Sequence, residues 1–145
     1  LPITDKHMTR FNITLKQGID FVLQCLEKMW GGELFVPKIP SYRITDVAKA
    51  INSGCRLEFV GIRPGEKLHE EMITDTDALN TIEFQDHFVI LPSALPQWDI
   101  GQFIQESNGV PGKYTSEEFC YNSGTNIKFL SVEEIRSLIK TEFDT

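Results

Sequence analysis

Between residues 14 and 60, helix signals and strand signals alternate along the chain, and this alternation constrains the fold more than any other feature of the sequence. Thr14-Leu15-Lys16-Gln17 has the form of a capping box. Leu15, Ile19, Val22, Leu23, Leu26 and Met29 follow at helical spacing, and Gly31-Gly32 ends the run. Glu33 to Val36 reads as a short strand, after which Pro37 and Pro40 keep the backbone extended. Thr45 is placed to cap a second helix carrying Val47, Ala48 and Ile51, which stops at Asn52-Ser53-Gly54. Leu57-Glu58-Phe59-Val60 alternates as a second strand. Helix, strand, helix, strand is the order found at the end of an α/β domain.

The stretch Gly61-Ile62-Arg63-Pro64-Gly65-Glu66-Lys67-Leu68-His69-Glu70 follows that second strand. Pro64-Gly65 supplies the fixed φ and the tolerated positive φ that a tight turn needs at its two central positions. Leu68, Met72 and Ile73 recur at helical spacing, so Arg63 is expected at a strand-to-helix junction. A guanidinium beside the free N–H groups of a helix start suits a phosphate. Glu66 repels that phosphate but can accept hydrogen bonds from neighbouring sugar hydroxyls. Arg63 and Glu66 are therefore the candidate binding residues, for a nucleotide. A solvated ion pair between them on an ordinary loop is the other reading of the same spacing.

Farther along, Asp75-Thr76-Asp77 is a cap-and-turn cluster before a short helical piece at Ala78-Leu79, and His87 to Leu91 reads as a strand stopped by Pro92. Residues 93–112 read as a loop carrying Trp98, Ile100 and Phe103, able to close over a ligand or to serve as a surface extension. Ser131-Val132-Glu133-Glu134 is another capping box, with Ile135, Leu138 and Ile139 giving the last helix its buried stripe. Arg10 and Lys38 read as structural and solvated residues respectively.

Charge excludes some partners. The net charge is −7, and residues 73–145 carry four Lys/Arg against twelve Asp/Glu, whereas residues 1–72 carry ten against nine. A chain of this sign lacks the clustered cations that nucleic acid or an anionic membrane requires. No run approaches the length of a membrane span, and no secretory signal pattern is present. Cys25, Cys55 and Cys120 are widely spaced and read as reduced thiols of a cytoplasmic protein, with no metal-ligand spacing among them. His69 and His87 read as packing residues. His69-Glu70-Glu71-Met72-Ile73 lacks the second histidine that a zinc-binding helix needs.

The string from Gly61 to Glu71, with Thr4-Asp5, Met8-Thr9-Arg10-Phe11 and Gly32 to Ser41, closely resembles the C-terminal portion of the inverting UDP-N-acetylglucosamine 4,6-dehydratases, members of the extended short-chain dehydrogenase/reductase superfamily. The similarity runs from about Leu1 to Pro92, and Tyr121 to Asn126 resembles the tail of some members. The resemblance implies an α/β fold: residues 1–52 as the end of the Rossmann cofactor domain and the crossover, residues 53–145 as a small mixed α/β substrate domain. It implies that Arg63 and Glu66 contact the UDP part of a UDP-sugar, and that the parent enzyme uses NADP and is a homo-oligomer. In that family the first residues here lie well inside the polypeptide, which implies a fragment.

The chemistry implied is hydride removal from C4 of the sugar, loss of water across C5 and C6, and hydride return to C6 with inversion at C5. It requires a glycine-rich pyrophosphate turn and a Tyr-x-x-x-Lys pair. Neither is in this sequence: Tyr42, Tyr114 and Tyr121 have no lysine four residues on. No catalytic and no cofactor-binding residue is therefore expected in this chain, and weak or no UDP-sugar binding in isolation. An epimerase or reductase acting on a UDP-sugar, or a non-catalytic interaction module, are the alternatives.

Overall fold

Thr14 does cap the first helix: its side chain accepts the Gln17 N–H while the Gln17 side chain accepts the Thr14 N–H. The structure is a computed structural model and describes residues 1–94, 99–105 and 110–143. Its elements in chain order are β1 (Pro2–Ile3), β2 (Thr9–Phe11), α1 (Leu15–Lys28), β3 (Leu34–Pro37), β4 (Ser41–Arg43), α2 (Ile44–Ile51), β5 (Glu58–Phe59), β6 (Glu71–Ile73), α3 (Asp75–Ala78), β7 (Thr81–Glu83), β8 (His87–Ile90), α4 (Ile100–Gln105), β9 (Lys113–Tyr114), β10 (Tyr121–Asn122) and α5 (Val132–Phe143). The chain forms two compact units, which it threads alternately. The first comprises Leu1–Asn12, Ile39–Glu71 and Asn122–Thr145, the second Ile13–Lys38 and Met72–Tyr121.

In the first unit, β1 and β5 pair in parallel, with Pro2 opposite Glu58 and Ile3 opposite Phe59. β2 and β4 pair antiparallel, Arg10 opposite Tyr42. The expected cap of α2 shifts: its N-cap is Arg43, with no side-chain cap bond, and Thr45 lies in the first turn. The reason is tertiary, because the Ile44 N–H donates to the carbonyl of Met8 and the helix start is satisfied by backbone. Asn52 ends α2 as the sequence predicts. The Ser131–Glu134 capping box forms, and Ser131 holds the Glu134 carboxyl below its usual range. α5 then buries Ile135 with Ala50 and Leu130, and Leu138, Ile139, Val47 and Tyr42 pack around them.

The second unit is built on an antiparallel sheet in the order β3-β8-β7-β9. Ile82, Phe84, Val89, Leu91 and Phe103 form its core, with Trp30, Phe35, Ile100 and Ile104 packed against it. Two expectations change here. Residues 93–112 are not a loop throughout, since α4 lies within them: Asp99 accepts the Gln102 N–H on its side chain and the Phe103 N–H on its carbonyl, which starts the helix, and Phe103 enters the core. Trp98 falls outside the described residues. Lys38 is not solvated. Its ammonium donates to Glu83 and to the Phe84 carbonyl and stands over the Phe88 ring, so the cation locks the β7–β8 end. The Lys38 bond lowers the pKa of Glu83.

His87 packs as expected. It is nearly fully buried, stacks on Phe84 with centroids 4.9 Å apart, and holds Nδ1 at 2.6 Å from Asp86. Burial lowers its pKa, with Lys28 and Lys38 adding to that and Asp86 opposing it. Cys25 and Cys55 are half-buried and Cys120 is exposed. Burial pushes the Cys25 thiol up.

Candidate functional site

The turn at Arg63 forms as Pro64 and Gly65 require. The Glu66 N–H donates to the Arg63 carbonyl at 3.0 Å, and Gly65 has φ 86°. That is a type II turn with proline and glycine at its two central positions. Glu66 adds a second closure, its Oε2 accepting the Arg63 N–H at 3.0 Å. The carboxylate is thus tied to the backbone of Arg63. No ion pair joins the two side chains, and among the described residues the exposed guanidinium has no partner. The solvated ion pair that the spacing allows does not form.

The helix expected after this turn is absent. Residues 71–73 are strand β6, along which burial rises from exposed Glu71 through half-buried Met72 to fully buried Ile73. The carbonyls that a helix would use are taken from elsewhere in the first unit. Arg10 donates to the carbonyls of Lys67 and Leu68, the Thr9 N–H to Leu68, and the Ser123 N–H to Glu70. Arg63 is therefore presented by a turn between two strands. The dipole of a helix start contributes nothing at this place.

What holds the loop is a set of residues that sequence spacing did not single out together. Thr9 Oγ1 lies 2.7 Å from His69 Nδ1 and 2.8 Å from Ser123 Oγ, and Ser123 Oγ accepts the Glu70 N–H at 2.8 Å. Thr9 and Ser123 are buried, so these bonds form out of water. Gly124 makes room for them, since a Cβ there would stand 2.6 Å from His69 Nδ1. Arg10 is structural, as expected: besides its carbonyl bonds, its Nε stands 3.7 Å from Glu70, whose Oε2 accepts the Phe11 N–H. Burial, reinforced by the Glu70 charge, raises the pKa of Tyr42. The sequence signals for this platform were the Met8–Phe11, Gly61–Glu71 and Tyr121–Asn126 strings, which contain Thr9, His69 and Ser123-Gly124 respectively.

Among the described residues, the helices that directly follow strands, α2 and α3, open on Arg43 and Thr74, and the glycines of positive φ (Gly31, Gly32, Gly61 and Gly65) stand at neither start. Among the described residues, no group of three His, Cys, Asp or Glu is placed to hold a metal. Among the described residues, no helix is long and apolar enough to cross a membrane. A cavity of about 380 Å³ in the second unit, lined in part by Trp30, Phe35, Phe84 and His87, contains none of the predicted site residues.

The mixed α/β fold is that of the C-terminal portion of an extended short-chain dehydrogenase/reductase. The crystal structure of Pen from Bacillus thuringiensis superposes with a TM-score of 0.74 over 98% of this chain and 41% of its own, at 27% identity. The chain belongs to the polysaccharide biosynthesis protein family, whose model matches residues 1–92. The UDP-N-acetylglucosamine 4,6-dehydratase (inverting) of Campylobacter jejuni is 42% identical over 139 residues, covering 96% of this chain and 42% of that protein. A UDP-glucose 4-epimerase of Rickettsia rickettsii is 30% identical over 147 residues, 97% of this chain and 41% of the relative. The chain thus spans about two fifths of the length of these relatives. The resemblance read from the Arg63 string and its companion motifs is the one that this dehydratase carries.

Proposed function

We propose that this chain is the substrate-side portion of an NADP-dependent, C5-inverting UDP-N-acetylglucosamine 4,6-dehydratase of the cytoplasm, working in the synthesis of surface polysaccharide. Residues 1–52 serve as the end of the cofactor domain and the crossover, and residues 53–145 as the substrate domain. This is a division by task and not by compactness. Arg63 holds the diphosphate of the UDP-sugar, and the Glu66 oxygen not engaged by the Arg63 N–H accepts hydroxyls of the ribose. NADP and the groups that act at C4, C5 and C6 belong to polypeptide outside this chain, which by itself is catalytically silent. The parent enzyme is a homo-oligomer.

The observation that carries the reading is the guanidinium, unpartnered among the described residues, on the first residue of a turn whose geometry Pro64, Gly65 and the Glu66 carboxylate all enforce. Identity to the dehydratase is higher than to the epimerase, which favours dehydration; the epimerase remains the second reading because both relatives align over nearly the whole chain.

The test is a chimaera in which this chain replaces the matched region of the Campylobacter relative. Arg63→Ala should weaken UDP-sugar binding by about 2–5 kcal/mol, roughly 30-fold or more in affinity, if the contact is desolvated. Unchanged affinity overturns the assignment of Arg63. NMR of the product separates a 4-keto sugar from a C4 epimer, and a 4-keto product formed by the isolated chain would refute its silence.

A further inference from the structure

We propose that the cavity of the second unit is a binding site for a small, uncharged planar aromatic molecule carrying an N–H or O–H donor in its ring plane, and that His87 Nε2 is the acceptor that fixes it. The site is independent of the reading of Arg63, which belongs to the other unit.

The walls of the cavity are rings. Its volume is about 380 Å³, and Trp30, Phe35, Phe84, His87 and Phe103 line it, all of them in the second unit. These rings brace one another: Trp30 and Phe84 each meet Phe103 edge-on, with centroids 5.3 and 6.0 Å apart, and Phe35 lies 5.7 Å from His87. Walls fixed in this way present flat faces and positive edges, which favour another aromatic ring over a flexible aliphatic chain. A dry cavity of roughly 150 Å³ holds benzene, so this one has room for a larger ring system, and it falls within the roughly 300–1,000 Å³ of small-molecule sites. Among the described residues, the charged members of the lining are Glu27 and Lys28, whose charges cancel. The lining therefore favours a neutral occupant over an anion or a cation.

His87 supplies the polar contact. Its side chain is 5% exposed, whereas the Asp86 carboxyl bonded to it is 60% exposed. A carboxylate in contact with water at about pH 7 is ionised and only accepts, so Nδ1 carries the proton of the 2.6 Å bond. Burial, working against the Asp86 bond, lowers the pKa of the ring and keeps it neutral at that pH. Nε2 is then a bare acceptor. Among the described residues Nε2 has no hydrogen-bond partner, and no fully buried side-chain nitrogen or oxygen is left without one, so Nε2 touches open space. The open space that His87 lines is this cavity. An acceptor on a buried side chain, opening between aromatic walls, calls for a donor carried on a ring.

The test titrates this chain with indole at about pH 7.5, above the titration range of His87, and follows binding by NMR. Binding should saturate with a Kd below about 1 mM, and the shifted resonances should centre on Trp30, Phe84 and His87. The imidazole nitrogen spectrum should show His87 protonated at Nδ1, with the Nε2 resonance moving as indole is added. N-Methylindole, which keeps the ring and lacks the donor, should bind about five- to tenfold more weakly and leave Nε2 in place. His87→Phe keeps an aromatic wall and deletes the acceptor. It should bring the two ligands within about twofold of each other while β7 amides stay as protected as in the wild type. Should that variant not fold, the Nε2 shift of the wild type decides alone. No saturable indole binding, equal affinity for the two ligands, a gap that survives in His87→Phe, or a proton on Nε2 of the free chain overturns the proposal. So does loss of indole binding in the chimaera with the Campylobacter relative, since the surrounding polypeptide would then fill the cavity.

Discussion

Replacing Thr9 by valine tests whether buried hydrogen bonds, and not packing, hold the Arg63 loop in place. The substitution conserves shape and deletes one hydroxyl that meets both His69 Nδ1 and Ser123 Oγ. Two bonds at about 1 kcal/mol each are lost, and the Ser123 hydroxyl, buried with its residue at 0% exposure, loses one of its partners. Together this amounts to about 2–3 kcal/mol. Thr9→Ser keeps the hydroxyl and loses a methyl group, at about 1 kcal/mol. The two accounts therefore give opposite orders. If hydrogen bonding dominates, the serine variant is the more stable; if packing dominates, the valine variant is. Native-state hydrogen exchange at the Thr9 and Ser123 amides, which donate to Leu68 and Glu70, reports on this unit directly. Valine should speed exchange there roughly 30- to 150-fold, at 1.4 kcal/mol per factor of ten. Serine should speed it about fivefold. A valine variant as protected as wild type, or better protected than serine, would refute the reasoning.

Two further substitutions and one titration probe other parts of the structure. Gly65→Ala should cost about 1–2 kcal/mol through its positive φ alone, since nothing lies within 4 Å of the added Cβ. Gly112→Ala should cost about 1–3 kcal/mol for a different reason, because its Cβ would stand 2.5 Å from Phe84 and 2.6 Å from Ile82 in the core; urea unfolding of each variant measures both. His87 has a lowered folded-state pKa, caused first by burial and then by Lys28 and Lys38 against Asp86, so the unfolded chain binds its proton at higher pH than the folded one. Stability should therefore be fully present above about pH 6.5 and fall as pH drops below it toward the folded value. His87→Gln should flatten that slope, and an identical slope in the variant would show that another group is responsible.

The local devices were legible in the sequence because each is completed within a few residues. Thr14 with Gln17 and Ser131 with Glu134 close their boxes within one turn of helix, and Pro64-Gly65 sets the Arg63 turn through its own dihedral preferences. The Arg63–Glu66 pair was found by motif, whereas the closure of Glu66 Oε2 onto the Arg63 N–H was not among the roles read for it. What failed were readings that depended on distant partners. Leu68, Met72 and Ile73 have helical spacing, yet Arg10, Thr9 and Ser123 claim the carbonyls and β6 results. Thr45 has the right chemistry for a cap and loses the position to a carbonyl of Met8.

By itself, the sequence determined the alternating helix and strand order of residues 14–60, the starts of α1 and α5, the turn that presents Arg63 and the family to which the chain belongs. Tertiary structure alone decided that Thr9, His69, Ser123 and Gly124 meet at the segment following that turn, that Lys38 is locked onto Glu83, and that the most apolar face of α1 points outward. The physical reason is range. Dihedral preferences and caps act over three or four residues, whereas a hydrogen bond between Thr9 and Ser123 spans 114 positions and exists only once the chain has brought them together.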